Sequence, residues 1–233
     1  MKTIKLISCI GLDFDSQLLP HFIEHYRKLD IDSFHLILHS KNDFDIDQYK
    51  TLTNNLILDK WVGVFDGVTK TNKLNVIIRD TTESHILMAD VDEFQIWDNS
   101  LKSNEGVVWG ILQDRESINK KLNEVTTENL EDQFPLETQR TKWDPKKPCL
   151  FPSTDELLSP HHLRDNQYKD EYIVIKVNHY RWIKGRLEKS KERNEVYNEL
   201  NKKGVKFESG IWGGIPNWES QDIINQYKDK TII

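Results

Sequence analysis

The sequence has only two cysteines, Cys9 and Cys149, in 233 residues. One distant pair makes neither a disulfide framework nor a thiolate zinc site, and it fits a reducing compartment. Cys9 lies in an apolar run and reads as a buried thiol. Glycine and proline are scarce, at ten and seven residues, which excludes collagen-like and Pro/Gly-rich disordered chains. Long hydrophobic runs are missing. Stretches such as 86–89 and 173–175 fall far short of the roughly 20 residues that span a bilayer, and Met1-Lys2-Thr3 leads into no signal-type segment. Positive charge is in deficit: 32 Lys and Arg face 38 Asp and Glu, a formal net charge of −6. A general nucleic-acid binder would carry a basic footprint, so no nucleic-acid partner is expected. These absences predict a soluble, cytoplasmic protein, with peripheral association at the inner face of a membrane left open.

What is present is an ordinary globular composition, 37% apolar and 30% charged. The length suits one well-buried α/β domain over residues 1–233, with 204–233 as a C-terminal extension packed on it. Residues 4–10 read as an apolar strand. Asp15 or Ser16 in the following polar loop is placed to cap a helix. Leu18, Leu19, Phe22, Ile23, Tyr26 and Leu29 then recur at helical spacing, with Pro20 tolerated near the first turn. Residues 34–39 form a second strand, and strand–helix–strand opens an α/β sheet. Further along, the pattern predicts a short helix over 47–55, a short strand over 61–65 and a helix over 70–82. Strands follow from 85 and over 107–112, then loops and short elements over 116–160. A late strand over 172–180 precedes a helix over 181–203, which Gly204 ends. The tail recovers a short polar segment over 219–227.

The sharpest chemical signal is Asp90-Val91-Asp92, where the apolar run Ile86-Leu87-Met88-Ala89 stops at acids. On extended backbone, residues i and i+2 point the same way about 6.6 Å apart, so two such carboxylates can share a hard divalent cation. That cation would neutralise a departing diphosphate. A solvated pair of loop acids is the plain alternative. His179 closes another apolar strand, where imidazole can complete a carboxylate–imidazole site or simply end the strand. His161-His162 follows Pro160 in a loop, while His21, His25 and His35 read as structural. After His179 the chain turns basic, with Arg181, Lys184, Arg186, Lys189, Lys191 and Arg193. These can face phosphate, or form a solvated helix face paired with Glu188, Glu192 and Glu195. For most of them the solvated face is the expectation.

Asp90-Val91-Asp92-Glu93-Phe94 resembles the metal-binding acidic motif of nucleotide-sugar-dependent glycosyltransferases, and more narrowly a bacterial family 2-like group with an Asp-x-Asp-Glu-Phe signature. Three further stretches are similar in the same order: Leu18 through Arg27; Trp109 through Arg115 with Gln133-Phe134-Pro135; and His161-His162 with Asn178-His179-Tyr180-Arg181-Trp182. The resemblance covers roughly residues 4–200. It implies a single-domain Rossmann-like nucleotide-diphospho-sugar transferase fold of the GT-A type, with a mostly parallel central sheet and flanking helices. The implied function is metal-dependent, inverting transfer of a sugar from a nucleoside diphosphate sugar donor to a hydroxyl of a carbohydrate or glycolipid acceptor.

By that carry-over Asp92 is the direct ligand of Mn²⁺ or Mg²⁺. Asp90 meets the metal or the sugar and ribose hydroxyls, His179 is the later ligand, and His162 competes with it. Asp114 is the acceptor base, Asp13 or Asp43 meets the nucleotide, and Arg181 and Lys184 offer cations. The sequence departs from the family in its first loop, where Gly11-Leu12-Asp13-Phe14-Asp15 replaces an Asn-Glu pair, and at Asp30, which replaces a glycine. Asp tolerates the left-handed backbone such a position needs. The competing classes are a metal-dependent phosphohydrolase or nucleotidyltransferase and a non-catalytic carbohydrate-binding protein. The phosphohydrolase would place its acids after the first strand, and the nucleotidyltransferase would want a glycine-rich loop.

Overall fold

The structure is a computed structural model, and it describes residues 2–52, 56–97, 101, 106–119, 121–139, 146–164 and 173–202. Its first half runs β1 (Ile4–Gly11), α1 (Leu12–Asp15), α2 (Leu19–Arg27), β2 (Ser33–Ser40), β3 (Leu56–Val62), α3 (Gly67–Arg79), β4 (His85–Met88) and β5 (Glu93–Gln95). The second half runs β6 (Val108–Glu116), α4 (Leu130–Gln133), β7 (Leu136–Gln139), β8 (Lys146–Pro152), β9 (Leu157–Ser159), β10 (His162–Leu163), β11 (Ile173–His179) and α5 (Arg186–Lys202).

Alternation along β1 sends Ile4, Leu6 and Ile10 into one core cluster and Ile7 and Cys9 into another, as side chains on a pleated strand must. The first cluster is closed by α2, which buries Leu19, Phe22, Ile23 and Tyr26. The second is closed by α3 through Leu74, Ile77 and Ile78. Helices therefore cover both faces, as the pattern predicts. Full burial of side chains such as Phe22 contributes ~2–3 kcal/mol each.

A nine-stranded sheet has the order β3-β2-β1-β4-β8-β6-β11-β5, with β7 paired to β6, and β9 and β10 form a separate two-stranded sheet. The pairs β1–β2, β2–β3, β1–β4 and β6–β11 are parallel. The pairs β4–β8, β6–β8, β6–β7 and β5–β11 are antiparallel. The expected mostly parallel sheet is thus corrected to a mixed one.

The source of the correction is β8, inside the stretch read as loops and short elements. Its buried sequence Lys-Lys-Pro-Cys-Leu-Phe-Pro inserts between β4 and β6. Pro148 lacks a donor for the ladder, but it sits opposite Trp109 where the β6–β8 register shifts, the one kind of interior position that suits proline. Two other expectations shift. The strand expected over 61–65 lies earlier, as the edge strand β3; of the helix expected over 47–55, residues 47–52 show only a 3₁₀ turn at Asp47–Tyr49, and residues 53–55 lie outside the described residues. The helix expected from 181 starts at Arg186, because Trp182 and Ile183 are buried in the body and Gly185 takes φ +88°, a left-handed value that breaks a helix. Asp15 caps no helix by its side chain and instead pairs with Lys189. Asp30 does take the left-handed conformation, at φ 53°.

Gly204, the 219–227 segment and the 204–233 extension lie outside the described residues. Cys9 and Cys149 are both buried free thiols. Among the described residues no helix is long and apolar enough to cross a membrane.

Gly110 sits in β6 between β8 and β11, and a Cβ there would fall 2.4 Å from both Cys149 Sγ and Val177 Cγ2. Overpacking of this kind costs ~1–3 kcal/mol. Gly110→Ala should therefore lower the melting temperature by roughly 3–10 °C in a calorimetric scan. An unchanged value would show that the strands part without strain.

Candidate metal centre

β4 is buried throughout and ends at Met88, opposite Ile7 of its parallel neighbour β1, so its last residue points the chain toward the carboxyl ends of the parallel strands. A tight turn follows, with Glu93 N–H donating to Asp90 O at 2.9 Å. Asp90 and Asp92 thus stand at the carboxyl end of β4, where the pattern places them. They do not lie on extended backbone, however. The turn at Val91 and Asp92 separates their side chains, which corrects the reading of two parallel carboxylates.

β11 brings in the histidine. It pairs with β6 on one side and β5 on the other, in a register that sets His179 across from Asp114 and from Glu93. Tyr180 N–H donates to Asp92 O at 2.7 Å and fastens the strand end to the acidic turn. Behind them, Tyr26 Oη donates to Glu93 O at 2.9 Å and accepts from Gln95 N at 3.2 Å, which ties α2 to the back of the site. Asp92, Glu93 and His179 each offer a ligand atom, all within 4.8 Å of one another. Carboxylates and an imidazole so clustered can coordinate a divalent metal.

His179 is oriented from behind. Its Nδ1 lies 2.7 Å from Asp114 Oδ1, and Trp182 Nε1 donates to Asp114 Oδ2 at 2.9 Å. With Nδ1–H given to Asp114, the lone pair of Nε2 faces Asp92 Oδ2 at 3.4 Å. Two electron-rich atoms facing each other need a cation between them, a proton or a metal. The 3.4 Å gap is long for a charge-assisted hydrogen bond and suits two ligands of one ion. Carboxylate-backed histidine is the usual support for a metal ligand, so the residues fit a divalent ion.

Without an ion, the carboxylates and the imidazole hold each other charged. Burial works against the charge on Asp92, yet His179, then Lys189 and Arg186, hold its carboxyl well below the usual range. Burial also disfavours charge on His179, but Asp92 and Asp114 outweigh it and raise the imidazole. Asp114→Asn should cost ~10–100-fold in Mn²⁺ affinity by releasing the ring. Titration calorimetry would decide, and full affinity in the variant would show that His179 is held without it.

A cationic flank stands beside the acids. Lys189 pairs with Asp15. Arg186 and Arg181 are each 7% exposed, and the Nε of each has no hydrogen-bond partner among the described residues. Arg181 lies over the Trp182 ring at 4.7 Å and Arg193 over Phe65 at 4.8 Å. Burial, together with Arg181 and Arg193, pulls Arg186 down to about 9, against the attraction of Asp92 and Asp15. The solvated helix face expected of Arg186 and Lys189 is corrected: both are buried and turned toward the site.

The other expected residues divide. Asp90 is held by Lys70 and, at 2.9 Å, by Lys147. Asp13 accepts from Ser40 Oγ at 2.8 Å and Lys41 N at 2.9 Å, at the ends of β1 and β2. Asp43 is exposed and pairs with Lys60, and Lys184 is exposed and pairs with Glu124. His162 lies on β10, exposed, 2.8 Å from Ser159 Oγ, and does not join the cluster. Arg115 donates to Phe134 O at 3.1 Å and to Glu137 Oε2 at 3.4 Å. His21, His25 and His35 bond Thr126 O, Gln95 O and Asp59, as structural histidines do.

No protein-family model and no curated protein matches the chain. Among solved structures it is similar to HddC from Yersinia pseudotuberculosis, at 11% identity and TM-score 0.44, covering 83% of this chain and 99% of that one. It is similar to TarS from S. aureus at 11% identity and TM-score 0.42, covering 85% of this chain and 40% of TarS. A 4-diphosphocytidyl-2C-methyl-D-erythritol synthase matches at 13% identity and TM-score 0.39, over 66% of this chain and 76% of that one. At these TM-scores the chemistry must be read from the residues of the site.

Proposed function

We propose that the protein is a divalent-metal-dependent enzyme acting on a nucleotide sugar, and that it transfers the sugar from a nucleoside diphosphate to an acceptor hydroxyl. One observation carries the reading: Nε2 of His179, its ring fixed by Asp114, faces Asp92 at 3.4 Å. Bound there, Mn²⁺ or Mg²⁺ would supply Lewis-acid neutralisation of a diphosphate.

The protein's own groups do the rest. Asp92 and His179 hold the ion, with Glu93 beside them. Arg186 and Arg181, buried and short of partners, take phosphate oxygens, for which guanidinium is suited. Asp13, at the ends of β1 and β2, meets the nucleoside. Asp114 has both oxygens engaged by His179 and Trp182, and in this reading it orients the ligand rather than accepting the acceptor's proton. Transfer would be a direct, inverting displacement: the acceptor oxygen attacks the anomeric carbon on the face opposite the diphosphate, the bond from that carbon to the diphosphate oxygen breaks, and the acceptor proton passes to water.

Nucleotidylyl transfer is the second reading. Two phosphate-bearing substrates carry more negative charge than one, and the cationic flank of Arg181, Arg186 and Lys189 would serve them as well. Against it, α1 begins directly after Gly11, which leaves no glycine-rich loop to cradle a triphosphate.

The test is a two-armed assay with Mn²⁺. One arm offers nucleoside diphosphate sugars and follows nucleoside diphosphate release; the other offers nucleoside triphosphates with sugar 1-phosphates and follows pyrophosphate. Release in the first arm alone is expected. Release in the second alone would replace sugar transfer by nucleotidylyl transfer, and silence in both would sink the nucleotide-sugar reading.

A further inference from the structure

Lys147 is among the largest fully buried side chains of the protein, at 1% exposure. Methionine would fill the same space without the cost of burying an ammonium. The charge is fully used instead. Nζ donates to Asp90 Oδ2 at 2.9 Å and to Glu93 Oε1 and Oε2 at 3.0 and 2.7 Å. Lys70 takes the other oxygen of Asp90, and Asp90 N–H donates to Glu93 Oε2 at 2.8 Å. All four carboxylate oxygens of Asp90 and Glu93 are therefore committed to N–H donors. Asp92 lies between them in sequence, but neither lysine reaches it, and its Oδ2 is left facing His179.

We propose that Lys147 is a positioning residue that keeps Asp90 and Glu93 off the divalent ion, so that Asp92 and His179 are its protein ligands and the remaining positions are open to diphosphate. The inference rests on the reading above that an ion binds between Asp92 and His179. Its physical sense lies in ligand count. Affinity for hard cations rises with the number of charged ligands, and three clustered carboxylates would hold the ion tightly while filling the positions a substrate needs. Lys147 and Lys70 neutralise two of the three and fix where they point.

The test is Mn²⁺ titration of the full chain without substrate, following free Mn²⁺ by electron paramagnetic resonance. Glu93→Gln should leave the dissociation constant within about twofold, because Glu93 is not a ligand. Lys147→Met should tighten Mn²⁺ about tenfold by releasing a charged ligand, and adding Glu93→Gln to it should reverse most of that gain. Weakening of Mn²⁺ by tenfold in Glu93→Gln would overturn the proposal. So would unchanged or weaker binding in a Lys147→Met protein that melts cooperatively. Should Lys147→Met fail to fold, Glu93→Gln decides alone. Loss of the ion reading itself would look different: Asp92→Asn would then leave Mn²⁺ affinity intact.

Discussion

Asp92→Asn should lower Mn²⁺ affinity by ~100-fold or more, the upper end of what even a supporting residue costs, and donor turnover by ~10²–10³-fold. Circular dichroism and cooperative melting should survive. Asn keeps the shape of the side chain, and the backbone oxygen of residue 92 still receives Tyr180 N–H. What is lost is one charge facing His179. Calorimetric titration with Mn²⁺ and a donor-hydrolysis assay on one preparation would check both parts. Full affinity in the variant would reduce Asp90-Val91-Asp92 to ordinary turn acids.

Arg186→Met should act in opposite directions on binding and stability. Arg186 is buried, short of a partner at Nε, and repelled by Arg181 and Arg193. Burial and the repulsion of Arg181 and Arg193 outweigh the attraction of Asp92 and Asp15, so removing this buried charge relieves a cost, and the ligand-free variant should melt no lower than the parent, and higher if methionine packs well. Binding of inorganic pyrophosphate with Mg²⁺ should fall roughly 30- to 1,000-fold, corresponding to about 2–4 kcal/mol for a desolvated charged contact. Thermal melts and calorimetry measure the two. Undiminished pyrophosphate binding would show that the arginine flank serves the fold alone.

The parts of the fold legible in the sequence are those whose hydrophobic period is undiluted. Leu19, Phe22, Ile23 and Tyr26 mark α2, and the alternation in β1 marks a strand with two covered faces. β8 was hidden because prolines bracket its apolar core and lysines open it, a composition that reads as loop until the bulge beside Pro148 is known. β3 was misplaced because an edge strand with exposed Ile57 buries too little to show a period.

At the site, Asp90, Asp92, Asp114 and His179 could be picked out by type and by the apolar strands they interrupt. Their pairings could not, since those depend on β8 and β11 arriving from far along the chain. Two further signals lie in the sequence. Lys70 stands at the helical spacing of Leu74, Ile77 and Ile78 on the buried side of α3. Lys147 opens an apolar run. In both, a charge on a core-facing position announces a buried partner.

β5, the strand that follows the acidic turn, has β11 as its sheet neighbour, and β11 is held in turn by β6. Asp92 waits for His179 over more than a third of the chain, and Asp15 for Lys189 over most of it. Such separations put loop closure before reward and delay assembly. The first four strands and both their helices can be in place while the ion site is still open. In the proposed reading, binding energy for the ion would fall on the closing strand: at a hundred times its dissociation constant an ion would add about 2.7 kcal/mol to the folded state. A form of the chain in which β11 has yet to dock lacks His179 beside Asp92, so occupancy by an ion would report the docking of β11 between β5 and β6.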